Sequence, residues 1–268
     1  MYEFIKLFLY FATYSFLGWV CESIYCSILD KKIVNRGFLN GPVCPVYGVG
    51  ALAIIFLLNK YKGNVLTLFV MGVIVTSIIE YLTSVILEVA FQTRWWDYSN
   101  HKFNIHGRVC LLNSILFGIM SVVLVEIIHT EVVKIVTHIP KVINIIVACI
   151  IIVVMIADLV TTLMAMINLN SKLKSFVDMI AELNTMNIKF KHLDDSEWKK
   201  AINKLKSQNK PQSIIDKFTE LQNKFKEKNM KSVLQRRIVK AFPNMKHKKY
   251  QEQFKHLKDF TSKKIKNK

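Results

Sequence analysis

The sequence predicts an all-α protein: a polytopic membrane helix bundle of about five transmembrane helices, followed by a cytoplasmic, basic helical tail. Three observations carry this prediction. Of the 268 residues 52% are hydrophobic, yet the chain holds 37 Lys+Arg against 19 Asp+Glu. The two properties are segregated: up to Asn168 there are 11 basic and 9 acidic residues, and beyond it 26 and 10, net charges of +2 and +16. Five long apolar stretches fill the nearly neutral part. Together these exclude a single soluble domain, a disulfide-rich secreted scaffold and a disordered chain. The chain divides into a transmembrane domain, 1–169, and a basic tail, 170–268.

The apolar stretches run over Phe4–Leu29, Val43–Leu58, Val65–Phe91, Val109–Ile128 and Val142–Leu169. A hydrocarbon core of ~30 Å needs ~20 helical residues, which most of them reach. The second is the shortest. The first does not read as a cleaved signal peptide, because Glu3 stands where a basic cluster is expected, and Glu22 and Tyr25 stand where small residues belong. Leu173, Val177 and Ile180 continue the helical spacing of the fifth stretch beyond the membrane.

Basic residues set the orientation. Lys31, Lys32 and Arg36 follow the first stretch, and Arg94, Lys102 and Arg108 follow the third. With five crossings both groups share one side with the basic tail. That side is cytoplasmic, which leaves the N-terminus outside and the chain as a multi-pass cell-membrane protein. In the tail, Trp198, Ile202 and Leu205 recur at helical spacing, as do Ile214, Phe218, Leu221 and Phe225, and then Leu234, Ile238 and Phe242. Pro211 and Pro243 punctuate these amphipathic helices. Cys21, Cys26, Cys44, Cys110 and Cys149 form no C-x-x-C pair and read as small buried hydrophobes; no metal site and no cofactor are expected.

Charges inside apolar spans are costly, so each is a functional candidate. Glu22, Glu80, Glu88 and Asp158 all fall in the cytoplasmic half, with Glu80 and Glu88 on similar faces two turns apart. Glu126 falls on the outer side at an interfacial position. The loop from Asn35 to Gly50 has four Gly and two Pro in sixteen residues, with Arg36 and Asn40. Such a stretch can form a re-entrant or broken lead-in to a helix, which is allowed only where protein or water covers its backbone. The second inner loop carries Trp95, Trp96, Asp97, Arg108 and Asn113. The Trp pair suits a membrane-interface belt. Glu22, Arg36, Asn40, Glu80, Glu88, Trp96, Asp97, Arg108, Asn113 and Asp158 therefore form either a substrate-binding pocket or a structural polar network between helices.

The strings Gly37-Phe-Leu-Asn-Gly-Pro-Val-Cys-Pro-Val-Tyr-Gly48, Trp96-Asp-Tyr-Ser99 and Gly107-Arg-Val-Cys-Leu-Leu-Asn-Ser114 resemble a bacterial membrane family, the ABC-transporter permeases of type IV (CmpB-like). The resemblance covers roughly residues 1–165. It implies an integral membrane permease and assigns no residue a role.

Three functions compete. The first is a transporter permease with a polar site facing the cytoplasmic half of the membrane. The chain has no Gly-x-x-x-x-Gly-Lys-[Ser/Thr] phosphate loop, so an ATPase would be a separate subunit, and five spans call for a homo-oligomer. The second is an intramembrane enzyme acting on a lipid-linked substrate, with a buried carboxylate as base and an Arg as phosphate clamp. No nucleophile or metal constellation supports it, since His101 and His106 lie at no metal spacing. The third is a membrane-anchored interaction protein whose tail binds the anionic inner leaflet. The tail carries no nucleic-acid recognition module, and nucleic acid is not expected as a partner.

Overall fold

A computed structural model describes residues 2–185 and 233–248, with positions 202–203, 206–207, 212–213, 215–216, 219–220, 223, 251 and 254 between and beyond them. Trp198, Leu205, Pro211, Ile214, Phe218, Leu221 and Phe225, on which the tail helices were expected, lie outside the described residues. The chain forms two compact units, Met1–Leu163 with Lys240–Met245, and Met164–Val239 with Lys246–Lys268.

Among the described residues, four helices are long and apolar enough to cross a membrane, and a fifth apolar helix is shorter. Helix α1 spans Tyr2–Asp30, α2 Pro45–Leu58, and α3 Val65–Phe91. The fourth rod is α4, Leu111–Val123, then a π-helical turn, Leu124–Ile128, then α5, His129–His138. It outruns the apolar stretch, which ends at Ile128, because the helical backbone continues through the more polar His129–His138. Helix α6 runs Lys141–Thr185 without a break, as the spacing through Ile180 predicts. Val233–Ala241 forms α7. That helix stops one residue short of Phe242, because Pro243 disfavours helical backbone at the residue before it.

The outward faces are apolar. On α3, Ile74, Ile78, Leu82, Ile86 and Val89 recur at helical spacing and are all exposed. In water such a stripe would be an aggregation surface; in lipid it is the solvated face. Cys21 and Cys149 also lie on the exterior, so the expectation of buried thiols holds for Cys44 and Cys110 and fails for these two.

Small residues set the packing. The Cβ that any substitution would add at Gly48 lies 2.2 Å from Ser15 Oγ, and one at Gly72 lies 2.6 Å from Ser121 Cβ. Gly48 therefore brings α2 onto α1, and Gly72 brings α3 onto α4, with Gly118 facing Val73 from the other side. The bundle is thus two tight antiparallel pairs, α1 with α2 and α3 with α4, joined chiefly through α2 and α3. The core that joins them gathers at one end: Leu9, Ala51, Ile54, Leu58, Leu68, Leu124, Val125, Val132 and Val136. At that end the buried Asn144 donates from Nδ2 to Tyr2 Oη, Val136 O and Ile139 O, which fixes the turn between α5 and α6. At the opposite end the pairs diverge.

Helix α2 reaches only half the height of its partner. At 14 residues it is about 21 Å long. It starts at mid-height, where Cys44 N donates to Ser15 O of α1 at 2.9 Å, and runs back towards the α1 N-terminus. Residues 31–44 descend beside α1 as irregular chain to reach that point. The described bundle thus combines four long apolar helices with one half-height apolar helix that has an extended lead-in.

In the second unit, Met166, Leu169 and Leu173 of α6 are buried, as are Ile238 and Val239 of α7. The buried Gln235 donates from Nε2 to Ala165 O at 3.1 Å.

Candidate functional site

Where the two helix pairs diverge they enclose a cavity of about 560 Å³. Thr76, Ile79, Glu80, Thr83 and Leu87 of α3 line one wall, an i, i+3/i+4 ladder that puts one helix face into it. Leu17, Gly18 and Glu22 of α1 and Tyr47 of α2 line the other. The cap is aromatic: Phe38, Trp95, Trp96, Tyr98 and Phe242. Val46, Ile119 and Val123 belong both to the wall and to the exposed exterior, so the cavity reaches the outer surface of the bundle. Its size suits a small organic molecule.

Glu22 is held by its neighbours. Arg36 Nε lies 3.4 Å from Oε1, and Tyr47 Oη donates to Oε2. Cys26 Sγ approaches Oε1 at 3.6 Å. Arg36 is itself positioned by Ala241 O, which accepts from Nη1, and by the Phe242 ring, 4.8 Å from its Cζ. The Phe242 ring also meets Trp95 edge-on at 4.9 Å. Trp95 packs against Phe38 and Phe91 as well and is only 2% exposed. An interface belt would keep it half-wet, so for Trp95 that expectation is corrected: it is a core aromatic. Trp96 donates from Nε1 to Arg108 O at 2.9 Å.

Glu80 differs from Glu22. Its neighbour is the Tyr98 hydroxyl, whose pKa burial and the Glu80 charge push above the ordinary phenol range, so it remains a donor. Glu80 Oε2 is buried and accepts no hydrogen bond among the described residues. Trp95 Nε1 is likewise buried with no acceptor among them. Both residues belong to the lining of the same largely apolar cavity. Each such group costs on the order of 1–3 kcal/mol, more for a charge.

Glu88 does not share this face. Eight residues rotate a helix by about 80° beyond two turns, so the residues that follow Glu80 into the cavity are Thr83 and Leu87. Glu88 turns to a separate network. Arg108 Nη2 lies 2.7 Å and Arg94 Nε 3.3 Å from Glu88 Oε2, with Asp97 Oδ1 3.9 Å from Arg94 Nη1. Arg108 also donates from Nη1 to Ser84 Oγ at 3.0 Å. A small hairpin, Asn104–Ile105 against Val109–Cys110, aims it there. Gly107 closes that hairpin with φ +66°, and a Cβ there would sit 2.4 Å from Ser99 Oγ.

Asp158 of α6 takes a third position. Its carboxylate accepts from Asn40 N at 2.9 Å and Gly41 N at 2.7 Å, tying the descending segment to α6. Thr162 Oγ1 adds a bond at 3.3 Å. Asn40 contributes its backbone, and its side chain is exposed. Asn113 is half-buried in the first turn of α4 and takes part in none of these bonds. The ten candidates therefore separate into a cavity group (Glu22, Arg36, Glu80, Trp96), a loop network (Glu88, Asp97, Arg108), a backbone clamp (Asp158 with Asn40) and Asn113 apart. Tyr47, Trp95, Tyr98 and Phe242 were not among them. Tyr47, Trp95 and Tyr98 sit within or beside the loop strings singled out, but Phe242 lies 200 residues downstream of Phe38 in a different part of the chain, and no local pattern couples it to the cavity.

No curated protein and no solved structure matches the chain. Residues 9–163 match the family described as "Putative ABC-transporter type IV". That span runs from Leu9 in α1 to Leu163 in α6 and contains every residue that lines the cavity except Phe242. By this match, over more than half of its length, the protein is a multi-pass membrane protein and belongs to that ABC-transporter family.

Proposed function

We propose that the chain is the membrane subunit of a transporter and that the cavity between its helix pairs is the substrate site, opening towards the cytoplasmic half of the membrane. The observation that carries this reading is the cavity itself. It is wide enough for a small molecule, closed at one end by the α2–α5 core, and lined near the other by the polar groups that lipid tolerates least. Lys31, Lys32, Arg36, Arg94, Lys102 and Arg108 all belong to loops at the cavity end, which favours a cytoplasmic position for that end by the positive-inside rule. The N-terminus is then outside. The division at residue 169 leaves a tail of net charge +16 for the anionic inner leaflet.

The sequence has no phosphate loop, so ATP would be hydrolysed by a separate subunit, and a second copy of the chain would complete the pathway. Cross-linking in native membranes followed by affinity recovery of the tagged full chain tests this. An ATPase or a second copy recovered in stoichiometric amount supports it. Recovery of the chain alone, after cross-linking and without either, overturns it.

A further inference from the structure

We infer that the cavity takes an amphipathic organic cation, an apolar body bearing one positive group held by Glu80. The inference rests on the transport reading for the site but not for transport, since it concerns binding alone. Among the described residues, the acidic and basic side chains that line the cavity are Glu22, Arg36 and Glu80. Arg36 and Glu22 neutralise each other. What remains is one carboxylate whose Oε2 is buried and unbonded among the described residues. A monocation is the complement of that carboxyl group in its ionised form.

The surroundings define the rest of the ligand. Phe38, Tyr47, Trp95, Phe117 and Phe242 present aromatic rings, which attract cations through their faces and accept apolar bodies. A bare inorganic cation fits poorly, because it demands several oxygen ligands and the walls are mostly hydrocarbon and ring, with no cluster of three or more His, Cys, Asp or Glu among the described residues. A sugar or nucleotide would leave many polar groups unmatched against the same walls. The outward-facing Val46, Ile119 and Val123 in the wall would let such a molecule enter from lipid.

The probe is tetraphenylphosphonium, with neutral triphenylphosphine oxide as its comparator, measured by equilibrium dialysis on the purified full chain in neutral maltoside micelles. The chain carries a formal charge of +18, so general electrostatics repel the cation and only a local site can select it. Binding of the phosphonium at least tenfold tighter than the oxide is expected. Glu80→Gln should remove that preference. Thr83→Trp, which fills the cavity and leaves the carboxylate in place, should abolish binding of both probes. A preference that survives Glu80→Gln, binding that survives Thr83→Trp, or equal affinity for the two probes overturns the ligand class. None of these results bears on the recovery of an ATPase or a second copy, so the two readings fail separately.

Discussion

Arg108 Nη2 and Glu88 Oε2 lie 2.7 Å apart, and each side chain is 12% exposed. This ion pair joins the loop between α3 and α4 back onto α3 itself. Removing one partner from a buried pair costs about 3–5 kcal/mol; the loss should be smaller for Arg108→Ala, since Arg94 still faces Glu88, than for Glu88→Gln, which leaves both arginines without their shared carboxylate. Arg108→Ala and Glu88→Gln should each lower the thermal melting point of the detergent-purified chain. The double variant should cost less than the two single losses combined.

Asp158 is predicted to hold the descending segment in place rather than to touch substrate. Asp158→Asn keeps the size and removes the charge that binds Asn40 N and Gly41 N. Hydrogen bonds to charged groups contribute about 1.5–3 kcal/mol each. The local effect should show as faster maleimide labelling of a cysteine placed at Asn40, with α1 to α5 still folded.

Gly48 and Gly50 should respond in opposite ways to the same change. A Cβ at Gly48 meets Ser15 Oγ at 2.2 Å, whereas one at Gly50 meets nothing within 4 Å. Gly48→Val should destabilise the α1–α2 pair by about 1–3 kcal/mol or prevent its assembly. Gly50→Ala should be neutral or slightly stabilising, since alanine favours helix. Yield of monodisperse protein and melting point together read both.

Phe242→Ala removes an edge-on contact with Trp95 and a cation–π contact with Arg36. Contacts of these kinds contribute about 0.5–2 kcal/mol each. The melting point should fall. Coupling with Arg36→Ala in a double-mutant cycle should be at least 0.5 kcal/mol, whereas coupling with Glu126→Gln, at the far end of the bundle, should be near zero.

The membrane part of the fold was legible because bilayer thickness imposes a length on apolar runs, and the third stretch matches α3 residue for residue. The half-height α2 was legible in part: its shortness and its Gly/Pro lead-in pointed to a broken helix, but only the Cys44–Ser15 bond fixes where it starts. The π-helical turn at Leu124–Ile128 has no sequence sign, since it contains neither Gly nor Pro. Of the carboxylates, sequence placed Glu22, Glu80, Glu88 and Asp158 at one end, but a helical wheel alone could not tell that Arg94 and Arg108 neutralise Glu88 while Glu80 keeps an unbonded oxygen. That distinction depends on loop geometry, and loops are set by turns such as the one at Gly107. The role of Phe242 depends on contacts across some two hundred residues, beyond the reach of any periodicity.

The short α2 has a consequence for how the protein is made. A 14-residue helix is too short to partition into a bilayer by itself, and its irregular lead-in exposes backbone groups that lipid cannot satisfy. Its stable docking surface is the groove of α1 opened by Gly18 and filled by Tyr47. During synthesis α1 must therefore be in the membrane first, and α2 must enter as one half of a hairpin with it. The Asp158 clamp on residues 40–41 forms only when α6 emerges, more than a hundred residues later. Until then the lead-in needs shelter from the insertion machinery, which makes biogenesis of this chain dependent on α6.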